Sequence, residues 1–525
     1  MLPRAYRFLH TWFHYTGILL MIAGLPFSVF LMSLSQFFLA GNWVLEGGYK
    51  EKIRQFFANK PALMLSGIFL LNALSYFWSE NSNEALKMLR INVPLFLFPF
   101  LVSGRAPLSP RAFGIFLRLF ILSVGLSVLV CASFGLPRWM NGTFTDIREV
   151  SLFISHIRFS LLIDLAILLC LWVWIQPSQR MWKFERYVLP VVALLLLFFL
   201  LILQSLNGIC ILITVGLGWF LFSPSNLMSR NIKRVAALVL VMGTVILGYM
   251  LNVAWHQYFT PAAVYSRPLS IKTASGNAYQ HQLDLIENGH YVHAFVCESE
   301  LRKQWRLISK VNIDSFDQKG HPIYETLIRY LNSRGLQKDS VGIHQLSATD
   351  VHNIENGMAN FRYAGWFGLR MRFYQLMYEV SFMRSGGINA SGHSVMMKLE
   401  FWKAALSLIS EKPIMGYGVG DVPDSFKHFY KTNNSWLQTQ WWMTAHNQYL
   451  YWAVSAGLIG WGIFMFCFFG PLRFAYIRKN LPFMLYFSIA ALAMITEDML
   501  TTQAGVSFVA FFYSFFLFCR PKNAL

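Results

Sequence analysis

His446 and Asn447, followed after nine residues by Gly457 and Gly460, form the sharpest chemical cluster in the chain, within AHNQYLYWAVSAGLIG from Ala445. A histidine titrates near neutral pH and can take a proton from a hydroxyl, the task of a general base. This one stands where a long polar stretch gives way to an apolar run, which would hold it at the mouth of a helix bundle. Read for structure alone, it is an interfacial histidine bonded to loop backbone. Arg158, in SHIRFS (Ser155 to Ser160), lies inside the end of another apolar run. A guanidinium there has to meet an anion, a group of carbonyls or water, or else snorkel back to the surface. His156, two residues earlier, falls on a different helical face and reads as structural.

Lys398 is the third candidate. It sits in MKLEFWKAALSLISEKPIMGYGVGD, on an amphipathic segment that ends near Pro413, where a solvated helix charge is the plain alternative. Gly416, Gly418 and Gly420 resemble a phosphate loop in composition, but no Gly-Lys-Ser/Thr follows and no strand precedes, so they read as a turn between helices. Arg372 and Glu379 fall seven apart on one helical face, and Arg372 is a secondary anion-binding candidate. His290, His293 and Cys297 have ligand chemistry without a fourth partner at zinc-like spacing, so no metal site is expected. Glu497 and Asp498 end an apolar run on its outer side and could bind a cation or an acceptor, although paired acids at a helix end are more often solvated or salt-bridged.

The elements that must carry these residues follow from composition. The chain has 525 residues, 55% hydrophobic and 17% aromatic but only 13% charged, with a net charge of +19. A soluble enzyme carries roughly twice that charged fraction, about 25%. The Lys and Arg residues punctuate apolar runs instead of forming basic faces, which argues against nucleic-acid binding and for a bilayer as solvent. Five of the six cysteines, Cys131, Cys170, Cys210, Cys467 and Cys519, lie in or at the ends of apolar runs and only Cys297 is in a polar region, so no disulfide framework is expected. The first apolar run lacks a small-residue cleavage site and is read as retained.

Twelve candidate spans result: 14–25, 27–44, 62–78, 86–102, 112–134, 152–175, 187–204, 207–222, 235–252, 445–468, 481–497 and 503–519. Gly24, Leu25 and Pro26 interrupt the first long run, which reads as two short helices in preference to one broken helix. One set of short connections carries nineteen Lys and Arg residues, and the opposite set only Arg138 and Arg148, or four with Lys87 and Arg90. Both termini are therefore expected to be cytoplasmic. The expected fold is an all-α integral membrane protein: helices one to nine over 1–252, a large, mostly helical outer loop or cap over 253–444, and the last three helices over 445–525. No internal repeat is visible and the nine-plus-three division lacks two comparable halves, which weakens transport.

Taken together, the SHIRFS helix end, the long loop ending K-L-E-F-W-K…P-I-M-G-Y-G-V-G-D and the H-N-x9-G-x-x-G motif resemble the O-antigen ligase and polymerase superfamily of bacterial envelopes. The topology resembles that family over most of the chain, whereas the specific motifs cover Arg158 and about 394–460. The resemblance implies a GT-C-like glycosyltransferase in the bacterial inner membrane, with its active site in the periplasm. It implies no cofactor and no metal, an undecaprenyl-pyrophosphate-linked glycan as donor, and inverting transfer to an acceptor hydroxyl, with lipid A core favoured. By motif position, Arg158 would grip the pyrophosphate and His446 would activate the hydroxyl, with Asn447, Gly457 and Gly460 supporting the motif. Lys398 stands where the family usually has Arg, which keeps the charge and loses the bidentate fork; either the lysine suffices, or another residue such as Arg372 supplies the second clamp. A polymerase joining lipid-linked repeats and a protein O-oligosaccharyltransferase share the same donor chemistry. A lipid-linked glycan flippase is the alternative of a different class.

Overall fold

A computed structural model of the protein describes residues 4–141, 143–144, 146–175, 184–222, 230–365, 369–386 and 394–521. It is an all-α integral membrane protein with almost no strand. Eight helical segments among the described residues are long and apolar enough to cross a bilayer: Phe8–Phe27, Val29–Glu46, Lys60–Trp78, Ser82–Ser103, Pro110–Met140, His156–Ile175, Glu185–Ile202 and Gln448–Ile477. Leu206–Leu221, Leu481–Thr496 and Gln503–Cys519 are shorter apolar helices. The chain divides into two compact units, residues 1–229 with 397–525, and residues 230–396.

In the first unit, the first long apolar run forms two helices. The break falls at Ser28, whose side chain accepts from the Leu31 amide, while Gly24 and Pro26 lie in the last turns of the first helix. The two helices fold against each other because small residues let them approach. A Cβ on Gly17 would meet Leu39 at 2.6 Å, and one on Gly24 would meet the Met32 nitrogen at 2.7 Å. The hairpin is fixed by polar contacts from Ser35 Oγ to the Gly17 carbonyl (2.6 Å) and from His10 Nδ1 to Asn42 Oδ1 (2.7 Å). Arg118, in the Pro110–Met140 segment, is neutralised by a two-pronged bond to Glu185 at 2.6 and 2.9 Å. Such pairing is what makes a charge tolerable among apolar helices.

The Gln448–Phe469 helix is broken at Gly457, whose φ of 64° and ψ of −174° are closed to other residues. Breaking a helix in a bilayer frees carbonyls that water cannot satisfy. Here residues 413–418 fill the gap. Tyr417 and Gly418 amides donate to the Val454 and Ser455 carbonyls at 2.9 and 2.8 Å, and the Leu458 amide donates to Pro413 at 2.8 Å. The same segment continues onto the Lys60–Ser75 helix, with Val419 N donating to Ser75 Oγ (2.7 Å) and Gly420 N to Ser79 Oγ (3.1 Å). Asp421 then accepts from the Glu80 and Asn81 amides at 2.8 and 2.7 Å. The glycine-rich loop is thus a clasp between helices, and its amides are spent on protein oxygens.

The second unit has a core of its own, built on Trp305, Leu327, Tyr330, Leu331 and Ile354. Its helices, among them Glu298–Ile308, Ile323–Ser333 and Leu369–Arg384, pack with one antiparallel hairpin, Gln280–Glu287 with His290–Val296. The hairpin is an element that a helical reading of the loop does not anticipate. Its turn is Asn288-Gly289, with φ of 54° and 78°, the mirror-image turn that suits strand twist. A Cβ on Gly289 would meet the Thr260 carbonyl oxygen at 2.9 Å. Gly289→Ala is expected to destabilise this unit by about 2 kcal/mol, read as earlier cleavage within 280–296 during limited proteolysis of the full-length protein at rising temperature. An unchanged cleavage temperature would show that the turn carries no such constraint.

Candidate active site

His446 occupies the tight bend just before the Gln448–Phe469 helix. Its φ of 45° is left-handed, a conformation a histidine takes only when its surroundings impose it. Two neighbours impose it. Asn447 is the helix N-cap, its side chain accepting from the Tyr449 and Leu450 amides at 3.0 and 3.1 Å. Asp498, buried on the far side, accepts from the His446 amide at 3.1 Å and from Thr444 Oγ1 at 2.7 Å. The loop carrying Asp498 is itself tied to the helix start, with Gln448 N donating to Met494 O (2.8 Å) and Leu500 N to Gln448 Oε1 (2.6 Å).

The imidazole stacks on Phe401, centroids 5.6 Å apart, which fixes its plane. Nε2 lies 3.2 Å from Met443 Sδ, and Nδ1 lies 3.9 Å from Glu497 Oε2. Burial is the largest single influence on the ring and disfavours its charged form. Glu497 and Asp498 together outweigh burial, against a weaker push from Lys398, and hold the pKa above the ordinary value. Asp498 is itself pushed up, chiefly by burial, with His446 and the Thr444 bond pulling the other way.

Lys398 reaches the same place from the Ser394–Glu411 helix. Its Nζ donates to the Thr496 carbonyl at 3.1 Å and stands 3.9 Å from Glu497 Oε1. Arg158, in the first turn of the His156–Ile175 helix, donates through Nη1 to Ser155 Oγ at 3.2 Å and interacts electrostatically with Glu497. Lys398 and His446 therefore flank one carboxylate, and Arg158 lies within its electrostatic reach. Arg372 lies in the Leu369–Arg384 helix of the other unit, and its side chain is outside the described residues.

Glu497 and Asp498, weak candidates in the sequence with solvation or salt-bridging as the plain alternative, join the site: Glu497 lies within ion-pair distance of Lys398 and His446. Asp498 is only 6% exposed. One signal pointed to them: two acids side by side in a chain with 44 basic and 25 acidic residues, at the edge of an apolar run. Gly457 and Gly460, read as motif support, act on the backbone. Gly457 makes the helix break, and a Cβ on Gly460 would meet Ala456 Cβ at 2.3 Å. Among the described residues no group of three or more His, Cys, Asp or Glu side chains could hold a metal ion.

Residues 354–465 match the family model described as O-antigen ligase. Over those residues the chain is similar to the O-antigen ligase family. The segment contains Lys398, the glycine clasp, His446, Gly457 and Gly460, while Arg158, Glu497 and Asp498 lie outside it. No curated protein matches the chain. On a multi-pass membrane protein this similarity supports ligase- or polymerase-type function in general, and the family implies a lipid-linked glycan donor and a glycan acceptor in a bacterial envelope.

Proposed function

We propose that the protein is an O-antigen ligase that moves a glycan from undecaprenyl pyrophosphate to a hydroxyl of lipid A core, on the periplasmic face, by an inverting and metal-independent displacement. The observation that carries this reading is that Lys398 and His446, within the segment similar to O-antigen ligase, flank Glu497, with Arg158 in electrostatic reach of the same carboxylate. His446 takes the proton from the acceptor hydroxyl. The acceptor oxygen forms its bond to the anomeric carbon from the face opposite the leaving group, and the bond from that carbon to the phosphate oxygen breaks. Undecaprenyl pyrophosphate departs with the electron pair, its oxygens held by Arg158 and Lys398. Diphosphate is a good leaving group, so fixed positive charge on its oxygens is the main electrostatic demand. The positive-inside pattern places both termini in the cytoplasm and residues 253–444, with this site, on the opposite side of the inner membrane.

The test is transfer by purified protein from undecaprenyl-pyrophosphate-linked glycan, with chelator present, to a panel of core lipid, lipid-linked repeat and peptide acceptors. Release of undecaprenyl pyrophosphate with labelling of core lipid is the expected outcome. Labelling of lipid-linked repeats or of peptide in its place would replace the ligase with a polymerase or a protein O-oligosaccharyltransferase. Donor binding without transfer to any acceptor, together with donor translocation in vesicles, would replace the enzyme with a flippase.

A further inference from the structure

Among the described residues, the charged groups that act on His446 are Glu497, Asp498 and Lys398, with Arg158 in the field of Glu497 and with Glu400 and Tyr430 nearby on the helices packed around Phe401. Their roles separate by geometry. Glu400 accepts from Ser435 Oγ at 3.1 Å, and Tyr430 donates to the Met443 carbonyl at 2.9 Å, so both are engaged in holding the 430–443 loop. Asp498 holds the bend through one oxygen, which accepts from Thr444 Oγ1 and the His446 amide. Glu497 is different: its two oxygens point to different cations, Oε1 to Lys398 and Oε2 to His446, each at 3.9 Å, with Arg158 also in its field. Both separations exceed hydrogen-bond length. The carboxylate lies between Lys398 and His446, within reach of the Arg158 charge, and is closed onto none of them.

We propose that Glu497 is the positioning residue of His446, and that an arriving diphosphate completes the pair by taking Arg158 and Lys398 away from Glu497. This rests on the reading of Arg158 and Lys398 as the diphosphate clamp. In the resting protein Glu497 stands in for the donor's phosphate charge and keeps two cations from facing each other unscreened. When diphosphate occupies them, its charge repels the carboxylate, which moves onto the Nδ1–H of neutral His446, the remaining donor beside it. A carboxylate on Nδ1 keeps the proton on that nitrogen, leaves the Nε2 lone pair for the acceptor hydroxyl, and stabilises the imidazolium that forms as the proton moves. The acceptor is thereby activated only when a donor is in place, which restrains idle hydrolysis. Met443 Sδ, 3.2 Å from Nε2, can only accept, so in the resting state it faces an Nε2–H; the proton has to settle on Nδ1 and Met443 swing aside before the acceptor hydroxyl reaches Nε2.

The proposal makes opposite demands on one variant, which a merely structural role would not. Glu497→Gln keeps the shape and removes the charge. It is expected to bind inorganic pyrophosphate at least threefold more tightly than wild type, because the clamp no longer has to leave a carboxylate, and to lose at least tenfold in transfer rate. Its His446 is expected to react with diethyl pyrocarbonate, followed by mass spectrometry across pH, with a midpoint lower than in wild type. Glu411→Gln, which makes the same change of net charge at a carboxylate bonded to Tyr417, controls for long-range charge and is expected to show none of these effects. Glu497→Asp restores the charge at a shorter reach, and is expected to recover the wild-type pyrophosphate affinity with part of the transfer rate. Weaker pyrophosphate binding in Glu497→Gln, an unmoved His446 midpoint, or equal tightening in Glu411→Gln would each overturn the handover while leaving the ligase reading intact. Wild-type protein that binds no pyrophosphate would overturn the diphosphate clamp, and this proposal with it.

Discussion

His446→Ala is expected to reduce glycan transfer by a factor of about 100 to 10,000, the usual range for a lost general base, while leaving donor binding and membrane insertion unchanged. Truncation removes the imidazole, not the fold: the bend that carries it is held by Asn447 and Asp498 through backbone groups that alanine retains. The pH dependence supplies the sign. A base works only when unprotonated, and the carboxylates around His446 hold its pKa above the ordinary value. Transfer should therefore rise with pH through a midpoint above about 6.5, and the acid limb should vanish in the variant. Initial rates at saturating donor between pH 5 and 9, with donor binding measured in parallel, check both. A variant that retains wild-type rate and pH profile would remove His446 from the chemistry and favour a non-enzymatic role.

Much of this site is legible in the sequence because the groups concerned are costly where they lie. An arginine inside an apolar run, a histidine at the head of another and a lysine on an amphipathic helix stand out against a mostly apolar chain, and their types suggest proton transfer and anion binding. What the residue string does not display is distance. Glu497 follows His446 by 51 positions and becomes its neighbour only because the Asp498 loop is bonded to both His446 and Gln448. The glycines show the same limit. Gly416, Gly418 and Gly420 suggest a turn from composition, but that they clasp a broken helix depends on where Gly457 falls in space. The hairpin in the second unit was closer to hand, since Asn288-Gly289 between QHQLDLIE and HYVHAFV is a strong local turn signal. Helical spacing in its longer neighbours hid it, because those helices account for most of the unit's core.

Gly457→Ala is the other substitution with a large expected effect, and it acts on folding. The backbone at 457 lies in a region essentially reserved for glycine, so any side chain costs about 1–3 kcal/mol before it touches anything. The alanine Cβ would then stand 2.1 Å from the Ile414 carbonyl oxygen and 2.3 Å from its carbon, both backbone atoms that cannot rotate away. Residues 413–418 have to withdraw, and the bonds from Tyr417, Gly418 and Leu458 withdraw with them. In a bilayer each orphaned amide or carbonyl adds to the cost, because no water replaces the lost partner. The expected result is a loss of about 3 kcal/mol or more, seen as a lower melting temperature in detergent or as failure to accumulate in the membrane. Gly462→Ala is the matched control: it lies five residues further along the same helix, a Cβ there meets nothing within 4 Å, and the change should be neutral or slightly stabilising. A Gly457→Ala protein that melts and transfers glycan like wild type would mean that the helix runs unbroken in the membrane. The glycines of the H-N-x9-G-x-x-G motif would then need another explanation.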